Sequence, residues 1–419
     1  MNTNLSLKYK QLLEEEKHES RERMHSFHRY FGKLIPAIPR FAIKQFTKKD
    51  DIVCDCFCGS GTTLVEAKLL DRNSYGMDLN PLSTLIANVK ANPLTREQLD
   101  KEKNLLLKKI QKDKLKKENQ KIPYCINIDH WFKEFVKKDL GIVYKNILKT
   151  KDEGVRNFFK AVFSSFLRDV SNADPKHIFP GYSKRLRELD KNGLRKIEVI
   201  PMFEKKLNNR IAWSDKMKFR SNGHIAQAFV GDARLMSDKI PKKVDLIVTN
   251  PPYISSIRYL ETVKLEMFWL EEIMSQEDYL NLDKKIIGTE RFYKDELNIL
   301  ELTGIKKVDR IIKKLSKEDN KKMAKVVQKY FLDMEEVFKG MHKILNKKGH
   351  IVMKISDSFI RGINVPTTDI LVEIAKKKGF YLEARFKDEI HNRSLMTKRN
   401  YYSKMILHDW IIIFKKLGS

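Results

Sequence analysis

The segment from Asp245 to Tyr253 has the residue types needed to hold a planar ring that carries an amino group. An apolar strand is followed at once by Asn250, two prolines and Tyr253. Consecutive prolines fix the backbone and remove two N–H donors, so the carbonyl groups of this turn are left to face whatever lies beyond the strand. The Asn250 side chain adds a further acceptor and Tyr253 adds a flat face. Such a turn suits an aromatic amine as its substrate.

A glycine-rich turn from Asp55 to Thr63 lies between a predicted strand and a predicted helix. Glycines let the backbone approach a ligand closely, and the start of the helix offers free N–H groups. A dinucleotide fingerprint would require a third glycine three residues after Gly61, and Leu64 stands there. The turn therefore favours a nucleoside ligand other than NAD.

Acidic residues follow three predicted strands at Asp55, Asp78 and Asp232. A carboxylate in the position of Asp78 can accept hydrogen bonds from both hydroxyls of a ribose, although capping of the next helix is an alternative role. The carboxyl ends of parallel strands meet at one crevice, where such folds bind nucleosides. The three acids are expected to lie near one another there.

These segments resemble motifs of the bacterial DNA amino-methyltransferases. The turn from Asp55 to Thr63 is similar to motif I, Asp78 to motif II, Asp232 to motif III, and Asn250 to Tyr253 to motif IV. The segment from His28 to Pro36 resembles motif X, which helps enclose the methionine part of the cofactor. The resemblance covers two flanking blocks of the chain and leaves the region between them unmatched.

The resemblance implies an S-adenosylmethionine-dependent enzyme that methylates the exocyclic amino group of a base flipped out of double-stranded DNA. A separate restriction endonuclease is a further expected partner. The implied catalytic residues are Asn250, Pro251, Pro252 and Tyr253. The implied cofactor-binding residues are His28, Tyr30, Lys33, Pro36, Asp55, Phe57, Gly59, Gly61, Thr62, Thr63, Asp78 and Asp232.

The identity of the target base depends mainly on Asn250. In enzymes of this type, Asn or Asp before Pro-Pro-Tyr accompanies adenine more often, and Ser accompanies cytosine, so adenine N6 is favoured. Cytosine N4 stays open because both bases present an amino group beside a ring nitrogen, and Ile254 to Trp269 is similar to cytosine-specific members. Methylation of an RNA base stays open as well, because basic charge does not separate RNA from DNA.

The net charge of +28, from 83 Lys and Arg against 55 Asp and Glu, favours a polyanionic partner. It also disfavours the glutamine methyltransferases that share the Asn-Pro-Pro-Tyr motif. No apolar run approaches a membrane span and Met1 to Arg23 lacks the features of a secretory signal, so a cytoplasmic location without a membrane partner is expected.

The cysteines Cys54, Cys56, Cys58 and Cys125 are interpreted as reduced packing residues, with no metal site. Methylation of a cytosine carbon requires a thiolate nucleophile, and in the enzymes that perform it this cysteine follows a proline. None of the four cysteines does so here. That chemistry is therefore disfavoured.

The strands and helices that must position these residues indicate an α/β fold. The resemblance implies that it is a Rossmann-like class I methyltransferase fold with a mostly parallel sheet and one antiparallel strand. Strands are expected at 52–55, up to Asp78, and at 226–230, 244–249, 350–355, 380–386 and 406–414, the last two forming a hairpin across His391 to Tyr402.

Residues 1–92 and 224–419 are predicted to form the methyltransferase core. Residues 93–223 are interpreted as a largely helical insertion and a candidate target recognition domain, and a smaller insertion is expected near 275–320. Apolar residues at helical spacing between Gly154 and Val170 support a folded insertion. Its expected contacts to DNA phosphates are Lys184, Arg185, Arg187 and Arg195.

Overall fold

A seven-stranded sheet forms the centre of the protein in a computed structural model that describes residues 3–16, 25–116, 120–217, 223–255, 258–293, 295–317, 320–389 and 408–418. Its strands are β1 (Ile52–Asp55), β2 (Asn73–Asp78), β3 (Ala226–Val230), β4 (Val244–Thr249), β5 (Leu345–Ile355), β8 (Phe380–Glu389) and β9 (His408–Lys416). The strands β6 (Ser358–Ile360) and β7 (Ile363–Val365) pair with each other in a separate hairpin.

The strand order across the sheet is β3-β2-β1-β4-β5-β9-β8. Strand β9 runs antiparallel to both of its neighbours, and the other pairs are parallel. The predicted fold class is therefore confirmed, including its single antiparallel strand. The order reverses direction between β1 and β4, and an open α/β sheet forms a binding crevice beyond the carboxyl ends of the strands at such a point.

Strand β4 carries the Asn-Pro-Pro-Tyr turn and is buried on both faces. Val244 and Ile247 pack on one side of the sheet, while Leu246 and Val248 pack on the other. Leu246, Ile247 and Val248 alternate as the two-residue repeat of a strand requires, and Val244 departs from this repeat at the register shift between Val244 and Leu246. Burial on both faces explains why the strand reads as an almost continuous apolar run.

Helices cover both faces of the sheet. The helices α1 (Thr3–Glu16) and α2 (Ala37–Phe46) pack against the face that contains Leu246. The opposite face is covered by α15 (Lys321–Ile344) and α16 (Thr367–Lys377). The helices α3 (Thr62–Leu69) and α4 (Pro81–Ala91) connect the first strands.

The region between β2 and β3 continues after α4 as a group of helices, as the apolar spacing predicted. They are α5 (Arg96–Lys116), α6 (Ile128–Trp131), α7 (Glu134–Leu148), α8 (Glu153–Val170), α9 (Lys184–Lys191) and α10 (Val199–Asp215). Their apolar core continues into α4 and into the two short helices after the Asn-Pro-Pro-Tyr turn, α11 (Tyr259–Thr262) and α12 (Lys264–Trp269). The insertion is therefore packed against the sheet domain.

The smaller insertion contains α13 (Gln276–Lys285) and α14 (Lys306–Lys317). The structure differs from the sequence-based expectation at β5, which begins at Leu345 because this residue already pairs with Val244 across an irregular register. The segment from His391 to Tyr402 lies outside the described residues. Within the described ranges, no helix combines the length and apolar character needed to cross a membrane.

Candidate active site

A cleft of about 740 Å³, partly open to solvent, lies beyond the carboxyl ends of β1, β2, β3 and β4. The sequence-predicted residues that line it are Tyr30, Phe57, Gly59, Asp78, Asp232, Asn250 and Pro252. The cleft is completed by residues that the sequence did not single out as site residues: Gly32, Cys56, Leu79, Asn80, Gly231, Ala233, Tyr259, Leu260, Lys285, Ile286 and Ile287.

The glycine turn forms one wall because its backbone takes a conformation that other residues avoid. Gly59 has φ +47° and Gly61 has φ +77°. A Cβ atom on Gly61 would lie 2.7 Å from the Cβ atom of Ala87 in α4, so this glycine allows the helix to pack against the turn. A Cβ atom on Gly59 would lie 3.1 Å from the ring of Tyr30. The turn is thus held between α4 and an aromatic ring.

Asp78 ends β2 with its carboxylate at the cleft. One oxygen accepts the backbone N–H of Gly59 at 2.9 Å, and the other accepts the N–H of Asn80 at 2.9 Å. Burial raises the pKa of this carboxyl to about 6. A carboxylate oxygen can accept more than one hydrogen bond. Asp78 therefore holds the glycine turn and keeps acceptor capacity for a ligand.

Asp55 ends the neighbouring strand β1 but does not line the cleft. Its Oδ1 accepts the Thr249 hydroxyl at 2.8 Å and the Phe57 N–H at 3.1 Å, while its Oδ2 accepts the Thr63 hydroxyl at 2.7 Å. Burial raises the pKa of Asp55 to about 6. These contacts join β1, β4 and the start of α3, where Thr62 and Thr63 are buried. Asp55 therefore positions the glycine turn and does not itself line the cleft.

Asn250 brings an acceptor to the cleft that has no partner within the protein. Its Oδ1 atom is buried and makes no hydrogen bond to any residue that the structure describes. A buried acceptor left unpaired costs about 1–3 kcal/mol. A ligand that donates an N–H to this oxygen would recover that cost.

Tyr253 is held by its hydroxyl group. The O–H donates to Asp409 Oδ1 at 3.0 Å, and the same carboxylate is paired with Lys354 Nζ at 2.6 Å and with the Ser356 hydroxyl. Although burial opposes ionisation, Lys354 keeps the pKa of Asp409 below its usual value. The Tyr253 ring is fixed in this way, and it is not among the groups that line the cleft.

Asp232 lines the cleft and is connected through Arg234 to residues of the smaller insertion and of α15. Its carboxylate is paired with Arg234. The same guanidinium donates to Asp333 Oδ1 at 2.7 Å in α15 and to the Lys285 carbonyl oxygen at 2.9 Å. Lys285 itself lines the cleft. The pairing of Asp232 with Arg234 therefore anchors one rim of the site.

The segment from His28 to Pro36 contributes Tyr30, whose hydroxyl shares a hydrogen bond of 2.8 Å with Ser83. Two other predicted residues point away from the cleft. Burial lowers the pKa of His28 to about 3, and its Nε2 lies 3.0 Å from the Ser164 hydroxyl oxygen. Lys33 donates to the carbonyl oxygens of His25 at 3.0 Å and His28 at 2.9 Å.

Lys33 thus shapes its own segment, and burial lowers its pKa to about 8. Pro36 immediately precedes α2, and it is absent from the lining of the cleft.

Comparison with known proteins places these elements in a family. Residues 4–88, which include the segments around Tyr30, Gly59 and Asp78, match the N6/N4 methyltransferase family model, described as DNA methylase. The chain is 24% identical to the type II methyltransferase M.MvaI of Kocuria varians over 93% of its own length and 89% of that protein. It is also 24% identical to the type II methyltransferase M.MjaII of Methanocaldococcus jannaschii, over 92% of this chain and 80% of that protein.

Over residues 4–88 the chain matches the DNA methylase family, and over more than nine-tenths of its length it is similar to type II methyltransferases. It is accordingly an S-adenosylmethionine-dependent enzyme. Among solved structures, a SAM-dependent methyltransferase from Methanosarcina mazei aligns with 92% of the methyltransferase and 100% of its own chain, at 9% identity and a TM-score of 0.34.

The cleft of the methyltransferase has the donor and acceptor set that this cofactor requires. A carboxylate with spare acceptor capacity suits a ribose diol, and the glycine turn permits close approach of a ligand to the backbone. The buried Asn250 oxygen supplies an acceptor that the protein itself does not use. The residues present therefore fit S-adenosylmethionine and a second, amino-bearing ligand.

Several residues of the site were missed by sequence reasoning. Thr249 and Ser83 carry a single hydroxyl each, and their partners lie far away along the chain. Asp409 could have been found, because it is a charged residue directly before the apolar run from Trp410 to Phe414. Its role became visible only when β9 was placed beside β5.

The four predicted phosphate contacts separate into two groups. Lys184, Arg185 and Arg187 are exposed on α9. The side chain of Arg195 is only 8% exposed, and it donates to Asn172 Oδ1 at 3.3 Å and pairs with Asp190 at 3.3 Å. Arg195 is therefore a structural residue that closes a loop of the insertion, and its side chain is not available to contact phosphates as the sequence predicted.

The cysteines are buried and none forms a disulfide. Burial raises the pKa of the Cys54, Cys56 and Cys58 thiols, which keeps them protonated. The described residues contain no group of three His, Cys, Asp or Glu side chains placed to bind a metal ion.

Proposed function

We propose that this methyltransferase modifies double-stranded DNA at a specific sequence and transfers the methyl group to N6 of an adenine flipped into the cleft. The observation that carries the proposal is the buried, unpartnered Oδ1 of Asn250 at the end of β4. An exocyclic amino group would supply the missing donor. A base can reach such a recessed acceptor only after it has left the duplex.

Asn250 and the Pro251 carbonyl act on the amino group of the base. Its nitrogen is a poor nucleophile because its lone pair is delocalised into the ring. Two acceptors that bind both N–H protons draw the nitrogen towards a tetrahedral geometry and free the lone pair. The cofactor, when bound, supplies an electrophilic methyl group on its sulfonium. Alignment and electrostatic stabilisation by fixed groups then account for the rate.

Three residues of the cleft lining, together with Tyr253 next to Pro252, hold the two ligands in register. Asp78 accepts from the ribose hydroxyls, Asp232 lies near the adenine amino group of the cofactor, and Phe57 lies along the glycine turn. Tyr253 stacks on the flipped base, with its hydroxyl anchored by Asp409 so that the ring does not rotate. The last role is supported by the position of Tyr253 beside Pro252 in the same turn.

DNA is expected to contact the insertion as well. The 93–223 region is proposed to read the target sequence, and the exposed Lys184, Arg185 and Arg187 are proposed to contact phosphates. A restriction endonuclease on a separate chain would recognise the same sequence. A cytoplasmic location is part of the proposal because bacterial DNA lies there.

Digestion of methylated DNA to nucleosides, followed by mass spectrometry, tests the proposal. We expect N6-methyladenine in DNA from cells that express the wild-type chain and none in DNA from cells that express Asn250→Ala. N4-methylcytosine in place of N6-methyladenine would show that the alternative target base is correct. Methylated RNA with unmodified DNA would contradict the choice of substrate.

A further inference from the structure

A second cavity, of about 620 Å³, lies on the other side of the segment that forms part of the cleft. Successive residues of this segment face alternate sides: Tyr30 and Gly32 line the cleft, whereas Arg29 and Phe31 line the second cavity. The short helices α11 and α12 also contribute residues to both cavities. Leu260 lines the cleft and Glu266 lines the second cavity.

The second cavity contains more positive than negative side chains. Its cations are Arg29, Arg168, Lys206 and Arg210, and its acids are Asp169 and Glu266. Lys206 pairs with Asp169 at 2.8 Å, and Arg168 Nε lies 3.5 Å from Glu266 Oε1. These pairs account for two of the four cations. Arg29 donates to backbone carbonyl groups of Pro175 and His177, which carry no formal charge.

Arg210 has no acidic partner of its own: the acid that interacts electrostatically with it, Asp169, is already paired with Lys206. It makes no ion pair to any residue within the described ranges, and its Nε atom is buried there without a hydrogen-bond acceptor. Its guanidinium lies over the ring of Phe27 at 5.6 Å. A partly buried guanidinium that shares its acidic neighbour with another cation is incompletely compensated, because burial of a charge is offset only by pairing.

Arg168 provides a second guanidinium, whose Nε–H faces Glu266 without forming a hydrogen bond. Its side chain is 5% exposed, and its Nε atom also lacks a hydrogen-bond acceptor within the described residues. Its terminal nitrogen is fixed by the Thr262 carbonyl oxygen at 2.6 Å. The guanidinium is therefore held in a defined position instead of moving with a flexible side chain.

We propose that the second cavity binds a phosphate group. Arginine presents its N–H groups in a fork that matches the oxygens of a phosphate, and Arg168 and Arg210 both line this cavity. A phosphate would supply further negative charge beside Arg210, whose acidic neighbour Asp169 is shared with Lys206, and would accept from the Arg210 Nε–H. His28 is neutral beside them because burial lowers its pKa to about 3, so it adds no charge to the cavity.

The phosphate is expected to belong to the DNA backbone next to the flipped base. This part of the inference rests on the proposed function, since only a nucleic acid substrate would pass over both cavities. One segment, from His28 to Gly32, separates the cleft from the second cavity. Anchoring of a neighbouring phosphate would hold the strand while the base is turned into the cleft. A free phosphate or phosphate monoester would satisfy the same donors and is distinguished by experiment.

Two binding measurements on the full chain test this inference, with the variant Arg210→Gln and the control Lys205→Gln. Lys205 is exposed on the same helix, α10, and does not line the cavity. The first measurement is the affinity for a duplex oligonucleotide over a range of NaCl concentrations. The slope of log affinity against log salt reports the number of phosphates neutralised, at about 0.9 for each.

We expect Arg210→Gln to reduce that slope by about 0.9 and Lys205→Gln to leave it nearly unchanged. The second measurement is the melting temperature in inorganic phosphate against NaCl of equal ionic strength. A ligand that binds the folded state raises this temperature, so phosphate should stabilise the wild type and Lys205→Gln but not Arg210→Gln.

Loss of both effects in Arg210→Gln supports a backbone phosphate. Loss of phosphate stabilisation with an unchanged DNA slope supports a site for free phosphate. Equal behaviour of Arg210→Gln and Lys205→Gln in both measurements would overturn the inference. If Arg210→Gln does not fold, Ser165→Glu, which adds a carboxylate at the lining of the cavity, should abolish phosphate stabilisation in its place.

Phosphate binding can be measured whether or not DNA is methylated. A wild-type chain that methylates DNA but shows neither effect of Arg210→Gln contradicts only the inference. A wild-type chain that binds phosphate but never methylates DNA contradicts only the proposed function.

Discussion

The wall of the cleft and the layer of polar residues behind it are built from the same residue types with different partners. Asp78 and Asp55 end adjacent strands, and burial raises the pKa of each to about 6. The carboxylate of Asp78 faces the cleft, where it accepts two backbone N–H groups and interacts with the Ser83 side chain, whereas Asp55 accepts two hydroxyls and a backbone N–H and does not line the cleft. Position on a strand therefore does not assign a function, and access of the carboxylate to the cleft does.

The largest effect is expected for Asn250→Ala, because this change removes an acceptor that the protein does not use for folding. We expect the rate of methyl transfer to fall by about 10²–10³, as for removal of a stabilising polar group from other active sites. Binding of S-adenosylmethionine should stay within about twofold of wild type. Single-turnover transfer of a labelled methyl group to DNA measures the first quantity. An unchanged rate would place the amino group elsewhere.

Asp55→Asn should act mainly on stability. Only one amide oxygen could replace the two carboxylate oxygens, and the Thr63 or Thr249 hydroxyl would lose its acceptor. We expect the free energy of unfolding to fall by about 1–3 kcal/mol in urea denaturation. The matched control is Asp78→Asn, which should lose less stability because Asp78 lines the cleft, where solvent can reach a donor left unpaired. A larger loss in Asp78→Asn would reverse the assigned roles.

Lowering the pH should have opposite effects on the affinity for the cofactor and on the contribution of Asp55 and Asp78 to the stability of the fold. Protonation of Asp78, whose pKa is raised to about 6, removes acceptor capacity, so affinity for the cofactor should fall as pH decreases through that value. The raised pKa values of Asp55 and Asp78 mean that the folded state binds more protons than the unfolded state between about pH 4 and 6. Their contribution to stability is therefore greatest at low pH and is lost as pH rises through this range.

Titration of the cofactor at several pH values, with thermal melts of Asp55→Asn and wild type in the same buffers, measures both trends. Cofactor affinity that is constant from pH 5 to 7 would contradict a binding role for Asp78.

The smallest effect is expected for the anchor of Tyr253. Tyr253→Phe and Asp409→Asn each remove the same hydrogen bond, at a cost of about 1 kcal/mol. Because they act on one interaction, the double variant should lose less methylation activity than the sum of the two single losses. Additive losses would show that Asp409 acts through Lys354 and Ser356 without involving Tyr253.

The sequence predicted the parts of the fold that local patterns determine. Strands β3 and β4 were predicted at their observed boundaries, because each is an apolar run that ends in a turn signal. The β6–β7 hairpin was missed because three-residue strands around Arg361 and Gly362 are too short to show a period. The sequence identified the glycine turn and the Asn-Pro-Pro-Tyr turn, but it could not show that Asp55 lies behind the cleft.

Residues whose partners lie far along the chain were the hardest to interpret. Arg195 and Arg187 look alike in sequence, and only the position of Asn172 and Asp190 shows that Arg195 is enclosed. His28 and Tyr30 share a motif, which predicts that both bind the cofactor. His28 instead contacts Ser164 and lines the second cavity. Alternation of neighbouring side chains between two cavities depends on tertiary packing.

Isothermal titration of S-adenosylmethionine into Asp78→Ala and Asp55→Asn, compared with the wild type, tests the central claim most directly. The account predicts that Asp78→Ala loses about 10- to 100-fold in affinity while remaining folded, because a charge-assisted hydrogen bond contributes roughly 1.5–3 kcal/mol. Asp55→Asn, measured below its melting temperature, should lose much less affinity. Undiminished affinity in folded Asp78→Ala, or a greater loss in folded Asp55→Asn, would contradict the claim that the cleft wall binds the cofactor.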